Sequence, residues 1–225
     1  MKLNKLEFLL MNNFVRNFIQ NHIEVKRLRK WSKLAPNKTV LEIGCGTGNG
    51  SKLIKEYFEA KRIYATDLDK RMIDIAKKNN NDKSISFKVQ NATKLKYKSN
   101  YFDAVFDLGV IHHIPNWKDC LKELKRVLKP KGQLIIEDLS IETFSTPFGK
   151  LMKKSLDHPY NSMHKEDEFV DYLKKIGFPV MGVPKTVDGD VAGTDYCIGF
   201  ATGISRATDY LTSFRSCLGS HERIG

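Results

Sequence analysis

Three glycines fall within five residues of VLEIGCGTGNGS, residues 40–51: Gly44, Gly46 and Gly48, with Glu42 just ahead of them. An apolar run that breaks into glycines at its carboxyl end makes a loop whose backbone can approach a ligand closely, and open α/β sheets bind at such loops. The dinucleotide fingerprint GxGxxG needs a third glycine three residues after the second, but Asn49 stands there. The triphosphate loop needs a closing Gly-Lys-Ser/Thr, and no lysine follows Gly48 or Gly50 at the required place. Glu42 adds a charge argument: a carboxylate at the mouth of the site repels pyrophosphate and suits a cation or an ammonium group. Asp67 ends the next apolar run, 19 residues beyond Gly48. In a doubly wound sheet a carboxylate there accepts hydrogen bonds from the hydroxyls of a ribose. A ribose without phosphate, beside a cation, describes S-adenosyl-L-methionine.

The elements that must position these residues alternate. NKTVLEIG (37–44), RIYATDLD (62–69), SISFKVQNA (84–92), YFDAVFDLG (101–109) and GQLIIEDLS (132–140) read as strands. NGSKLIKEYFEA (49–60), KRMIDIAKKNN (70–80), NWKDCLKELKRVLKP (116–130) and KEDEFVDYLKKIGF (165–178) read as amphipathic helices. Strands alternating with helices of this length give βαβ units and a parallel sheet covered on both faces, a doubly wound α/β fold. VMGVPKTV (180–187) and TDYCIGFAT (194–202) flank DGDVAG and read as a hairpin with an Asp-Gly turn, placing an antiparallel strand at the sheet edge. Ahead of Pro36, the spacing of Phe14, Phe18, Ile19, Ile23, Leu28 and Trp31 predicts one or two amphipathic helices. The expected organisation is an N-terminal helical segment (1–35), one domain (36–202) with a substrate lid at 140–165, and a tail (203–225).

In their order and spacing, VLEIGCGTG, YATDLD, VQNATKL, FDAVFDLGVIHHI and LKELKRVLKPKGQLIIED resemble the class I S-adenosylmethionine-dependent methyltransferases, and among them the small type 11 group that includes quinone C-methyltransferases. The resemblance runs from about Val40 to Asp138 and more loosely to Thr202. It implies a Rossmann-like, seven-stranded, mostly parallel sheet with an antiparallel edge strand. It also implies an enzyme that moves the methyl group of S-adenosyl-L-methionine by in-line displacement at the sulfonium. By that resemblance Gly44 and Gly46, with the small loop residue Cys45 between them, line the methionine part, while Glu42 orients the loop and its ammonium contacts. Asp67 takes the ribose, and Leu68 and Met72 pack on the adenine. Asn91 and Ala92 stand where the family usually has Asp-Ala beside the adenine amino group; Asn91 can accept the hydrogen bond but contributes no charge. Leu108 offers its backbone carbonyl to the methionine amine. KPKG departs from the family's KPGG at Lys131, in a turn expected to tolerate the change.

His112 and His113 follow the fourth strand, where an acceptor would approach the methyl group. One of them is the candidate general base, and the competing reading is that both hold the loop by hydrogen bonds and packing. The acceptor site is expected from the N-terminal helices and from 140–165, where Phe144, Phe148, Met152, His158, Tyr160, Met163 and His164 could line an apolar pocket.

The formal net charge of +12 limits the partners. Residues 1–35 carry eight basic and two acidic side chains, half of the surplus, so the N-terminus is the candidate for contact with an anionic membrane. No nucleic-acid module accompanies it, and LGVIHH occupies the place of the proline-aromatic motif used on base amines, which argues against nucleic acid. The four cysteines are scattered, with no metal-ligand spacing, and fit reduced residues of a cytoplasmic protein. The expected function is methyl transfer to a small-molecule or lipid-like acceptor. The alternatives are a protein or RNA acceptor, a non-catalytic binding subunit that keeps the fold, and a dehydrogenase, against which Asn49 and Glu42 speak.

Overall fold

In the computed structural model, which describes residues 25–142, 160–180, 185–186 and 198–199, helix α1 (Val25–Trp31) precedes an alternating series. This series is β1 (Thr39–Ile43), α2 (Asn49–Phe58), β2 (Arg62–Asp67), α3 (Lys70–Asn79), β3 (Ile85–Val89), β4 (Phe102–Leu108), α4 (Trp117–Val127) and β5 (Leu128–Glu137). A further helix, α5 (Glu166–Lys175), follows. The five strands pair in parallel in the order β3-β2-β1-β4-β5. Strand order reverses at β1, which lies between β2 and β4, so the loops after β1 and β4 diverge there and leave a crevice.

The sequence explains this placement. β1 and β4 are buried along nearly their whole length, which is what continuous apolar runs in a doubly covered parallel sheet require. Phe58 of α2 meets Phe106 of β4 edge to face, with ring centroids 4.7 Å apart, pinning the helix over the centre of the sheet. Val25 and Leu28 of α1 join the same core. Two cations of α1 serve this packing: the Arg29 guanidinium lies 5.7 Å from the Phe58 ring centroid, and the Lys26 ammonium lies 6.0 Å from that of Tyr57. Part of the charge that the sequence concentrates at the N-terminus is therefore bound to the protein's own aromatic rings. The residues before Val25, where the other N-terminal helical residues were expected, lie outside the described ones.

At the far edge, β5 begins directly after α4, and its ladder with β4 slips between the pairs Phe102–Leu128 and Ala104–Gln133. Lys131 sits in that slip with φ 63°, the left-handed region that a glycine adopts without penalty. The departure of KPKG from KPGG thus falls on a position with a physical preference for glycine.

Of the seven strands expected, the sheet has five among the described residues, all parallel. Backbone contacts divide the chain into two units, Met1–Ile176 and Gly177–Gly225. The expected hairpin falls in the second unit, where β6 (Lys185–Thr186) and β7 (Ile198–Gly199) pair with each other in parallel as a separate two-stranded sheet. An Asp-Gly pair fixes an antiparallel register only when it is itself the two-residue loop; within a longer connection it leaves strand direction open. The segment 143–159, which makes up most of the expected lid, and the expected tail also lie outside the described residues.

Candidate active site

The loop after β1 takes its shape from alternating positive φ angles: 57° at Gly44, 50° at Gly46 and 85° at Gly48. A side chain at Gly44 would drive its Cβ to 2.2 Å from the Val110 side chain, so only glycine lets the loops after β1 and β4 meet. At Gly46 a Cβ would meet nothing within 4 Å, because that position faces open space. The loop is anchored from β2: Asp67 Oδ2 accepts the Gly46 N–H at 2.9 Å, and its Oδ1 accepts the Asp69 N–H at 2.8 Å. Burial, the largest influence, pushes the Asp67 carboxyl above the usual carboxylate range, against these bonds.

Glu42 lies beneath the loop and not at its mouth. It is 2 % exposed, and its carboxylate accepts the Ser51 hydroxyl from the first turn of α2. Burial raises its pKa from an ordinary 4.5 to about 7, with the Ser51 bond opposing the shift and the charge of Asp67 adding to it. Glu42 therefore acts on the loop from below, by tying β1 to α2. Cys45 is buried in the loop, and burial followed by the charges of Glu42 and Asp67 pushes its thiol pKa well up, which leaves it unreactive.

The second wall comes from β4. Gly109, at φ 89°, turns the chain into a short 3-10 turn at Ile111–His113. The two histidine rings lie against each other in that turn, with centroids 4.0 Å apart, but they meet different surroundings. His112 is buried, donating its backbone N–H to Asp138 Oδ2 at 2.8 Å and making a ring contact from Nδ1 to Asp138 Oδ1. His113 instead lines the crevice.

Between the walls is a cavity of about 250 Å³. Of the residues singled out from sequence, Gly44, Gly46, Asp67, Leu68, Met72, Asn91, Ala92 and His113 line it; Glu42, Cys45, Leu108 and His112 do not. Leu68 is 54 % exposed and so offers a free apolar surface, whereas Met72 is 2 % exposed and is mainly core. Asn91 Oδ1 accepts both the backbone N–H and the hydroxyl of Thr93 at 2.9 Å, shaping the loop after β3 as an Asx turn. Sequence reasoning missed Thr47, Gln90 and Thr93, from the loops after β1 and β3, and Val110, Ile114 and Asn116, from the loop after β4. Gly109, a glycine directly after an apolar strand, was the available signal for the second group.

A family model described as a methyltransferase domain matches residues 41–136, the stretch that builds both walls. Residues 41–136 are a methyltransferase domain of the class I S-adenosylmethionine-dependent type. Phosphoethanolamine N-methyltransferase 2 of Caenorhabditis elegans is 27% identical to this chain over 155 residues, 68% of this chain and 33% of that protein. The chain spans about a third of the length of such curated relatives. An S-adenosylmethionine-dependent methyltransferase from Aquifex aeolicus superposes with a TM-score of 0.65 at 22% identity over 82% of this chain and 94% of that one, a likeness of fold. A second family model, described as phosphofructokinase, matches residues 159–225. The ATP-dependent 6-phosphofructokinase of Aquifex aeolicus is 49% identical over 51 residues, 23% of this chain and 16% of that protein. A methyltransferase domain is thus followed by a segment similar to about one sixth of a different enzyme.

S-adenosyl-L-methionine is the cofactor of the methyltransferase family. The residues present fit it: the open space at Gly46, the two backbone anchors of Asp67 and the exposed face of Leu68 surround one cavity at the strand-order reversal.

Proposed function

We propose that the first unit transfers a methyl group from S-adenosyl-L-methionine to a small-molecule acceptor that enters past His113. The observation that carries this reading is the convergence of the Gly44–Gly46 loop, Asp67 and His113 on one cavity. The cofactor, when bound, supplies an electrophilic methyl on a sulfonium, so the protein's tasks are to orient it, exclude water and receive a proton. Asp67, its oxygens fixed by two backbone N–H groups, holds the ribose hydroxyls, and Leu68 covers the adenine. The backbone of Gly44 and Gly46 leaves room for the methionine part. His113 stands at the acceptor end with Ile114 and Asn116, where an imidazole can take a proton from an acceptor hydroxyl, amine or carbon acid near neutral pH. A small-molecule acceptor agrees with the named substrate of the C. elegans relative.

Calorimetric titration with S-adenosylhomocysteine and, separately, NAD tests this reading. Saturable binding of S-adenosylhomocysteine, weakened by about tenfold or more in Asp67→Ala, is expected from the loss of a charged hydrogen-bond acceptor. Binding of NAD in its place, or unchanged affinity in the variant, would refute it.

A further inference from the structure

Behind the cavity, where β4 and β5 end side by side, three polar side chains are buried together: Asp107 at 0 % exposure, His112 at 4 % and Asp138 at 3 %. Asp107, next to last in β4, accepts the Val110 N–H on Oδ1 at 2.9 Å. Asp138 comes one residue after Glu137, the ladder partner of Leu108, and accepts the His112 N–H as well as contacting its ring. Two N–H groups of the turn, those of Val110 and His112, thus end on two carboxylates. The next residue is His113, which faces the cavity. The backbone bonds of the turn itself, His113 N–H to Val110 O and Ile114 N–H to Ile111 O at 2.9 Å, set its internal shape but do not fix it to the sheet. Asp107 and Asp138 make that connection.

Stability alone does not account for such a cluster. Burying carboxylates and an imidazole costs several kcal/mol in desolvation, and a well-packed apolar set of similar volume is commonly as stable or more so. What the cluster adds is direction. Asp107 Oδ2 has no hydrogen-bond partner among the described residues, and burial followed by the charge of Asp138 pushes the Asp107 carboxyl well above the usual range. His164, from the segment before α5, packs against Trp117 and Phe169; burial, followed by the charge of His112, lowers its pKa to about 4. Cys120 of α4 and Glu137 also lie near the two carboxylates, and the His113 ring lies against that of His112.

We propose that Asp138 is a positioning residue for methyl transfer: through His112 it locks the turn 111–113 to the sheet so that His113 presents its ring to the acceptor end of the cavity. The proposal rests on the methyltransferase reading of that cavity. It gives His112 and His113 different tasks, with His112 holding the turn and His113 meeting the acceptor.

Histidine-labelled protein tests it by NMR, with the His113 ring signal assigned by its absence in His113→Gln. Titration of the unmodified protein with S-adenosylhomocysteine is expected to shift that signal saturably. In Asp138→Ala the shift is expected to collapse while affinity for S-adenosylhomocysteine stays within about threefold, since Asp138 does not line the cavity. Asp138→Asn, which keeps an oxygen for the His112 N–H, is expected to keep the urea midpoint closer to that of the unmodified protein and to recover part of the shift. With a competent acceptor, kcat in Asp138→Ala should fall by about tenfold or more at little-changed cofactor KM. An unaltered His113 response in both folded variants would overturn the positioning role and leave the cofactor reading intact. No response in the unmodified protein would overturn both.

Discussion

Glu42→Gln isolates an ionisation that the fold holds far from its ordinary range. The carboxyl is buried beneath the glycine loop with a pKa of about 7 against an ordinary 4.5. A carboxyl whose folded pKa is raised binds its proton more tightly in the folded state. Its contribution to stability is therefore fully present below about pH 4.5 and is lost as pH rises through about 7. At about 1.4 kcal/mol per pH unit, the interval between the two values corresponds to about 3 kcal/mol. Glutamine keeps the length of the side chain and an oxygen for the Ser51 hydroxyl but does not titrate. The difference in unfolding free energy between the unmodified protein and Glu42→Gln is expected to move by about 3 kcal/mol in favour of the variant from pH 4 to pH 8. Both tryptophans, Trp31 and Trp117, belong to the first unit, so intrinsic fluorescence in urea reports this unit without the second. Asp67 shifts in the same direction from its own burial, and subtracting the variant removes most of that common titration. Parallel pH profiles for the two proteins would refute the argument, because they would mean that Glu42 ionises as freely folded as unfolded.

Two further substitutions probe the backbone that carries the site. Gly50→Ala places a Cβ 2.1 Å from Glu42 Oε1 and 2.9 Å from the Leu108 side chain, and should cost about 2 kcal/mol by overpacking, read as a lowered urea midpoint; an unchanged midpoint would mean that α2 can slide off β1. Lys131→Gly relieves a left-handed φ of 63° and should raise stability by about 1 kcal/mol with binding of S-adenosylhomocysteine unchanged; a destabilised variant would show that the Lys131 side chain offsets the strain.

The alternation of apolar runs and amphipathic helices determined the parallel sheet of the first unit, because each strand buried on both faces must be built from consecutive apolar residues. Glycine spacing determined the loop, because the left-handed conformations at Gly44, Gly46 and Gly48 exclude other side chains in practice. Asp67 could be placed as well, since the end of a parallel strand fixes where its carboxylate lies. Other features depended on contacts between residues far apart in the chain. Glu42 reads as a carboxylate at the mouth of the site, yet strand alternation and the Ser51 hydroxyl turn it inward, beneath the loop. His112 and His113 are equivalent in sequence and become different only because Asp138, 26 residues after His112, captures one of them. The direction of the short strands after Ile176 was also beyond local reading, because an Asp-Gly pair within a longer connection does not fix which way the chain returns. Sequence periodicity reports which face of an element is apolar; which polar group answers a buried charge is decided only when the strands that carry them lie side by side.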